Sequence, residues 1–294
     1  MRHKGTLSGR LTDGLNVVLL GLLALLMLLP FYYIFVVSFV DAKEFSSSEL
    51  ILWPKNWVSD AYDYILSSKE FIRSMGVTIY VTALGTLVNL VLTATMAYAI
   101  TRNIWGQRFY VFLVLFTFIF SAGMIPTYLI VKETGLIDSY WSLILPSAIN
   151  PFNLIVMRQF FMGIPDELSE AAVIDGANDL QIFAKIILPL SKPAIAAFGL
   201  FYAVLNWNTY FGAILYLNDP TKWTVQVVLR QLVILNDQDT LASAARDAAL
   251  AGELPPSETI GMAAILLATL PILAVYPFLQ KHFAKGVMLG SVKG

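Results

Sequence analysis

Six long apolar stretches constrain this chain more than any other feature. They run over residues 15–40, 71–101, 109–131, 140–162, 194–217 and 260–280. Each supplies the about 20 residues of helix that cross about 30 Å of hydrocarbon. One soluble core could not absorb them: 57% of the residues are hydrophobic and only 13% charged, where a soluble domain has about 25% charged residues. The mean hydropathy of +0.71 makes lipid part of the solvent. The expected fold is an all-α membrane protein with six transmembrane helices. Arg2, Lys4 and Arg10 precede the first stretch as they would a signal peptide. Its apolar run is about twice a usual signal core, and no small-x-small cleavage site follows, so it reads as a retained anchor.

Several functions are excluded by composition. With no Cys, there is no thiolate metal site, disulfide framework or cysteine nucleophile. The two His, His3 and His282, lie at opposite ends, which argues against a histidine-centred metal or acid–base site. A net charge of −1 argues against bulk nucleic-acid binding.

The basic residues between the spans set an orientation. With a cytoplasmic N-terminus, the inner segments hold Arg2, Lys4, Arg10, Arg102, Arg108, Arg158, Lys185, Lys192, Lys281, Lys285 and Lys293, the larger share of the 19 Lys and Arg. Most acids fall outside. The clearest case is the loop after the second span, which holds Arg102 and Arg108 with no acid. Both termini are therefore expected in the cytoplasm, with residues 1–13 and 282–294 flanking one membrane domain over 14–281. Two outer segments are long. Residues 41–70 carry Trp53, Pro54 and Trp57, which suit a non-helical interfacial cap; residues 218–259 contain a helix-like stretch over 240–251, stopped by Gly252 and Pro255-Pro256.

Residues 163–189 are the one inner segment with distinctive chemistry: a helix, a glycine break and a second helix. Pro165 suits a first turn, and Asp166, Glu167 and Glu170 place negative charge near the positive end of the helix dipole. Gly176 suits a left-handed stop, and Asn178 or Asp179 suits the cap of a helix running to Pro189. Such a helix, lying across the cytoplasmic face, fits either a groove on another protein or the lipid headgroups.

Glu170-Ala171-Ala172, then Gly176, Ile186 and Leu188-Pro189 fill every fixed position of a twenty-residue motif. The segment resembles the coupling loop of ABC-importer permeases. The run from Ile164 to Ala177 and the ending Lys285-Gly286-Val287 with Gly290-Ser291-Val292-Lys293-Gly294 are similar to carbohydrate-uptake permeases of the maltose type. Ile125-Pro126-Thr127-Tyr128, Asn206-Trp207-Asn208 and Tyr216-Leu217-Asn218-Asp219 resemble its branch associated with complex oligosaccharides. The resemblance implies a type I importer permease in a bacterial cytoplasmic membrane, without catalysis of its own. It further implies a second homologous permease, two ATPase subunits carrying ATP and Mg, and an extracytoplasmic binding protein that delivers an oligosaccharide. Glu170, Ala171, Ala172, Asp175, Gly176, Leu188 and Pro189 would form the coupling segment, and Gly290, Ser291, Val292, Lys293 and Gly294 a tail reaching the ATPases. No Gly-x-x-x-x-Gly-Lys-Ser/Thr occurs in the chain to cradle a triphosphate.

Amides and aromatics in the spans are candidates for a sugar path, because a buried amide must pair with a neighbour or face water. Asn206, Trp207, Asn208, Tyr210, Asn150 and Asn153 form that set, with helix–helix packing as the competing role. Arg158 reads as a snorkelling side chain. Pro126, Pro146, Pro151, Pro271 and Pro277 would bend spans or mark their ends. An acidic uronate oligomer or a non-sugar solute is the alternative cargo; an acidic cargo would want cations in the passage, and only Arg73, Lys132 and Arg158 lie near spans. An intramembrane enzyme is a weaker alternative, since the span cores carry almost no ionisable groups.

The orientation is testable by reporter fusion. Fusions after Arg102 and after Lys192 should report a cytoplasmic location, and fusions within 237–247 an external one. An external signal from the segment around Glu170 would overturn both the topology and the coupling role.

Overall fold

The computed structural model describes residues 7–47, 50–234 and 255–290. Fourteen helices are named here in chain order. They begin with α1 (Leu7–Val37), α2 (Ala42–Ser47), α3 (Asp60–Ser67) and α4 (Lys69–Ala99). Next come α5 (Gln107–Ile119), α6 (Met124–Glu133), α7 (Trp141–Ile144), α8 (Pro151–Met162) and α9 (Asp166–Ile174). After α10 (Asp179–Leu190) follow α11 (Lys192–Trp207), α12 (Phe211–Tyr216), α13 (Val225–Ile234) and α14 (Ser257–Gly290). Among the described residues, β pairing is limited to an isolated bridge between Val40 and Trp57. The expected 240–251 helix and residues 291–294 of the expected tail lie outside the described residues.

Stretches within α1, α4 and α14 are long and apolar enough to cross a membrane as single helices. Side chains from Leu15 to Leu29 on α1 stay 46–70% exposed, which suits an apolar solvent and not water. The other apolar stretches are broken. The stretch over 109–131 was expected to form one span, but it folds as α5 and α6, bent by 119°. The break is Phe120-Ser121-Ala122-Gly123, where Gly123 takes φ 84°. Pro126 sits in the first turn of α6, where no N–H is needed. The stretch over 140–162 divides into α7, a 3₁₀ turn at Leu145–Ser147, and α8 starting at Pro151. The stretch over 194–217 divides into α11 and α12. Pro271 and Pro277 lie inside α14, which continues past both and past the expected boundary at residue 281.

The described residues form two compact units, within Met1–Lys69 with Leu229–Ala268 and within Glu70–Val228 with Thr269–Gly294. In the first, the segment after α1 folds back on its C-terminal end. Val36, Val40 and Ile51 form a small core, and Phe39 packs its ring on Trp57 and Tyr62. Ser38 and Tyr62 share a 2.8 Å hydrogen bond, and both Glu44 carboxylate oxygens accept from the Lys55 backbone N–H. The expected non-helical cap therefore contains α2 and α3, with residues 50–59 irregular before α3. Helix α13, which the sequence did not suggest, meets α14 where Gly261 leaves room for Val233.

In the second unit, α4 and α11 approach closely at small residues. A Cβ on Gly85 would stand 2.9 Å from the Asn206 amide nitrogen, and one on Gly199 3.3 Å from Leu90. Two loops are clamped by Asp138, whose backbone takes φ 61°. Its Oδ1 accepts from the N–H groups of Asn218 and Asp219, and Lys222 Nζ bridges to Oδ2 at 2.6 Å. The Lys222 hydrogen bond, aided by the Asp219 N–H, holds the Asp138 carboxyl below its ordinary range. The same hydrogen bond raises the Lys222 ammonium. The clamp weakens as pH falls through the lowered carboxyl pKa or rises through the raised ammonium pKa. It is thus fully formed across the neutral range.

The break at Pro151 is held by side chains. Pro151 has no N–H for the Ser147 carbonyl four residues earlier. Asn89 of α4, 1% exposed, donates instead to the carbonyls of Ser147 (3.0 Å) and Ala148 (2.9 Å). Asn89→Leu leaves both carbonyls and an Asn206 N–H without this partner, at about 1–3 kcal/mol for each buried group. The purified assembly should show a large loss of thermal stability, whereas Thr86→Val, which removes only a 3.5 Å contact to Asn206, should be close to neutral. Equal melting temperatures for Asn89→Leu and the parent would refute this role.

Candidate functional site

Helix α9 begins immediately after Pro165, with Asp166 and Glu167 in its first turn, and ends at Ile174 with Asp175 as its C-cap. Its stop follows from one residue. Gly176 takes φ +83°, which lets its N–H reach the Val173 carbonyl (2.9 Å) while the Ala177 N–H reaches Ala172 (2.9 Å). These paired bonds form a Schellman stop. Ala172 and Ala177, brought together by it, both pack against the larger core. Nothing lies within 4 Å of an added Cβ at Gly176, so the backbone angle alone requires glycine there.

The next helix starts with a reciprocal cap. Asn178 Oδ1 accepts from the Gln181 N–H (2.9 Å), and Gln181 Oε1 accepts from the Asn178 N–H (3.0 Å). Asn178, and not Asp179, is therefore the cap. Ile182, Phe183 and Ile187 bury into the same core, with Ile186 and Leu188 against it. Phe183–Ile187 winds as a π-helix ahead of Pro189, widening the turn where the proline lacks a donor. At buried Ser191 the chain bends by 82° into α11.

The motif thus divides into two roles. Ala172, Gly176, Ile186 and Leu188 hold the segment in shape, while Glu170, Ala171 and Asp175 are exposed. Around the exposed residues lies an apolar surface, with Leu168 44%, Val173 60%, Ile174 86% and Leu180 73% exposed. Large apolar side chains on a non-spanning helix call for a partner. Ser169 faces inward, 7% exposed, and its Oγ accepts from Arg102 at 3.2 Å. Neither Arg102 nor Ser169 was a sequence candidate, because a pair 67 residues apart leaves no local pattern.

The proposed sugar-path residues do not converge. Asn150 and Asn206, with Asn89, Tyr202 and Thr209, line a cavity of about 420 Å³. Asn150 caps α8 through the Asn153 N–H (3.2 Å), and its own N–H donates to the Tyr202 hydroxyl (3.1 Å). Asn206 donates to Asn89 Oδ1 at 3.0 Å. Trp207 and Asn153 are buried, Asn208 bonds back to the Val204 carbonyl, and Tyr210 packs against the second core cluster. Arg158 Nε donates to the Ile100 carbonyl (3.2 Å), holding the end of α4. Among the described residues, no group of three His, Cys, Asp or Glu could hold a metal ion.

Among the described residues, membrane-length helices, bent helix pairs and a short helix with an exposed apolar face define an all-α membrane protein. The chain belongs to the family of binding-protein-dependent transport system inner membrane components, whose model matches residues 90–289. It is 51% identical to the polygalacturonan/rhamnogalacturonan transport system permease protein YtcP of Bacillus subtilis, over 98% of this chain and 100% of that one. Protein LplC of the same organism is 50% identical, over 98% and 97% of the two chains. The fold also matches a chain in the crystal structure of a bacterial ABC transporter involved in the import of the acidic polysaccharide alginate. That match has a TM-score of 0.89 and 35% identity, covering 96% of this chain and 99% of that one.

If the backbone angle at Gly176 is the whole constraint, substitutions should rank by their tolerance of it. Gly176→Asn should keep α9 functional, because Asn enters the left-handed region readily. Gly176→Val should cost at least about 1–2 kcal/mol. Transport by the assembled complex, measured for both variants, should fall only for valine; equal loss would point to a contact at Gly176 instead.

Proposed function

We propose that this chain is one of two homologous permease subunits of an ABC importer and forms half of the path for an oligosaccharide. In this reading six crossings place both termini in the cytoplasm, a binding protein delivers the sugar from outside, and two partner subunits bind and hydrolyse ATP. The chain itself performs no bond chemistry. The observation that carries the reading is α9, which stands outside the spans with an acidic residue, Glu170, amid exposed Leu168, Val173 and Ile174. Such a face fits a groove on the ATPase with a basic residue opposite Glu170. The ending 290–294 would reach the same subunits, and residues 163–189 would transmit their motion.

The relatives' names favour an acidic cargo over a neutral one: one specifies a galacturonan and the solved transporter an acidic polysaccharide. In this chain Arg158 is engaged by a carbonyl and Lys222 by Asp138. Of the cations near spans, exposed Arg73 and Lys132 are those this chain could offer a uronate oligomer, with the partner permease and the binding protein supplying the others.

The test is a complex reconstituted in vesicles with its binding protein. Galacturonate oligosaccharides should stimulate ATP hydrolysis and be taken up, with neutral oligosaccharides of the same length weaker. Glu170→Ala, which removes one side of a partly desolvated pair, should weaken ATPase docking by about tenfold or more. Stimulated hydrolysis and uptake should fall together, with sugar binding by the isolated binding protein unchanged. Full stimulation by the variant would leave α9 a surface connector and end the coupling reading.

A further inference from the structure

Arg102 is placed unlike the other inner basic residues. It follows α4 and reaches three groups. Its Nη2 donates to the Tyr98 hydroxyl at 2.7 Å and to Ser169 Oγ of α9 at 3.2 Å. Its guanidinium carbon lies 4.6 Å from the centre of the Tyr98 ring, a cation–π distance. Tyr98 in turn donates to the Asp179 carbonyl at the start of α10 (3.3 Å) and packs its ring 4.9 Å from Phe183. One arginine and one tyrosine thereby join the inner end of α4 to both helices of the docking segment.

The chemistry of this junction is that of a joint. Unlike Lys222, which pairs with Asp138, Arg102 is bridged by no carboxylate among the described residues. Its charge rests on two hydroxyls and a ring face, and its Nε is sealed from solvent without an acceptor. An arrangement optimised for stability alone would not bury an unpaired N–H, at about 1–3 kcal/mol. Contacts of this kind are short and directional, yet cheaper to rearrange than a buried ion pair. Only the planar fork of arginine can stack on the ring while donating to two oxygens.

We propose that Arg102, through Tyr98 and Ser169, is the positioning residue that converts displacement of α9 into displacement of α4, so that ATP hydrolysis becomes transport. The proposal rests on the reading that α9 docks on an ATPase. It predicts uncoupling and not undocking, because the exposed face of α9 is untouched by changes at Arg102.

The experiment measures, in the reconstituted complex, retention of ATPase subunits, stimulated hydrolysis, and galacturonate oligosaccharide taken up per ATP. Arg102→Ala should keep the ATPase subunits and stimulated hydrolysis while uptake per ATP falls several-fold. Arg102→Lys should be intermediate. Tyr98→Phe, which keeps the ring contacts with Arg102 and Phe183 and so should fold normally, should show a smaller loss of the same ratio. Arg108→Ala, on the same loop and outside the junction, should match the parent. An unchanged ratio in both Arg102→Ala and Tyr98→Phe overturns the proposal. So does loss of ATPase subunits in step with loss of uptake, which would make Arg102 a scaffold for docking. A parent complex that fails to retain ATPase subunits overturns instead the docking reading on which the proposal stands.

Discussion

Every backbone N–H and C=O within hydrocarbon must find a partner inside the protein, and the rest of this structure depends on that constraint. Three of the apolar stretches are not continuous helices, so each break frees backbone groups that need partners outside their own helix. Asn89 supplies the two carbonyls before Pro151, and the Tyr202 hydroxyl accepts the Asn150 N–H after them. Thr93 shares a 2.7 Å bond with Tyr202, and Asn206 completes Asn89. Helices α4, α8 and α11 are thereby tied together at the point where one is interrupted. The small residues Gly85 and Gly199 allow the approach that the bonds require.

The same network explains why the in-span amides are not an evident sugar platform. A sugar site needs amides with unused donors and an aromatic face open to a pyranose. Here the Asn89 amide is consumed by backbone and by Asn206, and the Tyr202 ring is 1% exposed. The cavity beside them is bounded by groups already engaged. Of the six candidates only Asn208 is exposed, and its amide is bonded to the Val204 carbonyl.

The apolar stretches and the helix–stop–helix form of 163–189 were legible from sequence because both are local patterns. Length of apolar run specifies a span, and the spacing from Glu170 to Pro189 specifies helix, stop and helix. The Gly176 stop needed only three or four neighbouring residues, whereas the sequence left Asn178 and Asp179 open as caps and the bonds to Gln181 decide for Asn178. The 119° bend over 109–131 was not legible, because the run stays apolar through Phe120 and a single Gly123 is an ordinary residue in a membrane helix. Helix α13 was hidden in a long outer segment, and α2 and α3 are too short to show a period. Pairs such as Arg102 with Ser169 and Asn89 with Asn206 are set by how helices pack, which a single sequence does not encode locally.

Where the two kinds of polar contact lie bears on how the subunit could move. Contacts at the Pro151 break join the Asn89 amide to two carbonyls and the Tyr202 hydroxyl to Asn150 and Thr93, and breaking them would strand several groups at once. Contacts at the C-terminal end of α4 are hydroxyl to guanidinium and ring to cation, with one N–H already unpaired. Rearrangement is therefore least costly at the C-terminal end of α4, beside α9 and its exposed face. A subunit driven from that face would turn about the rigid polar knot joining α4, α8 and α11, because displacement spreads through packed helices until it meets contacts too costly to break.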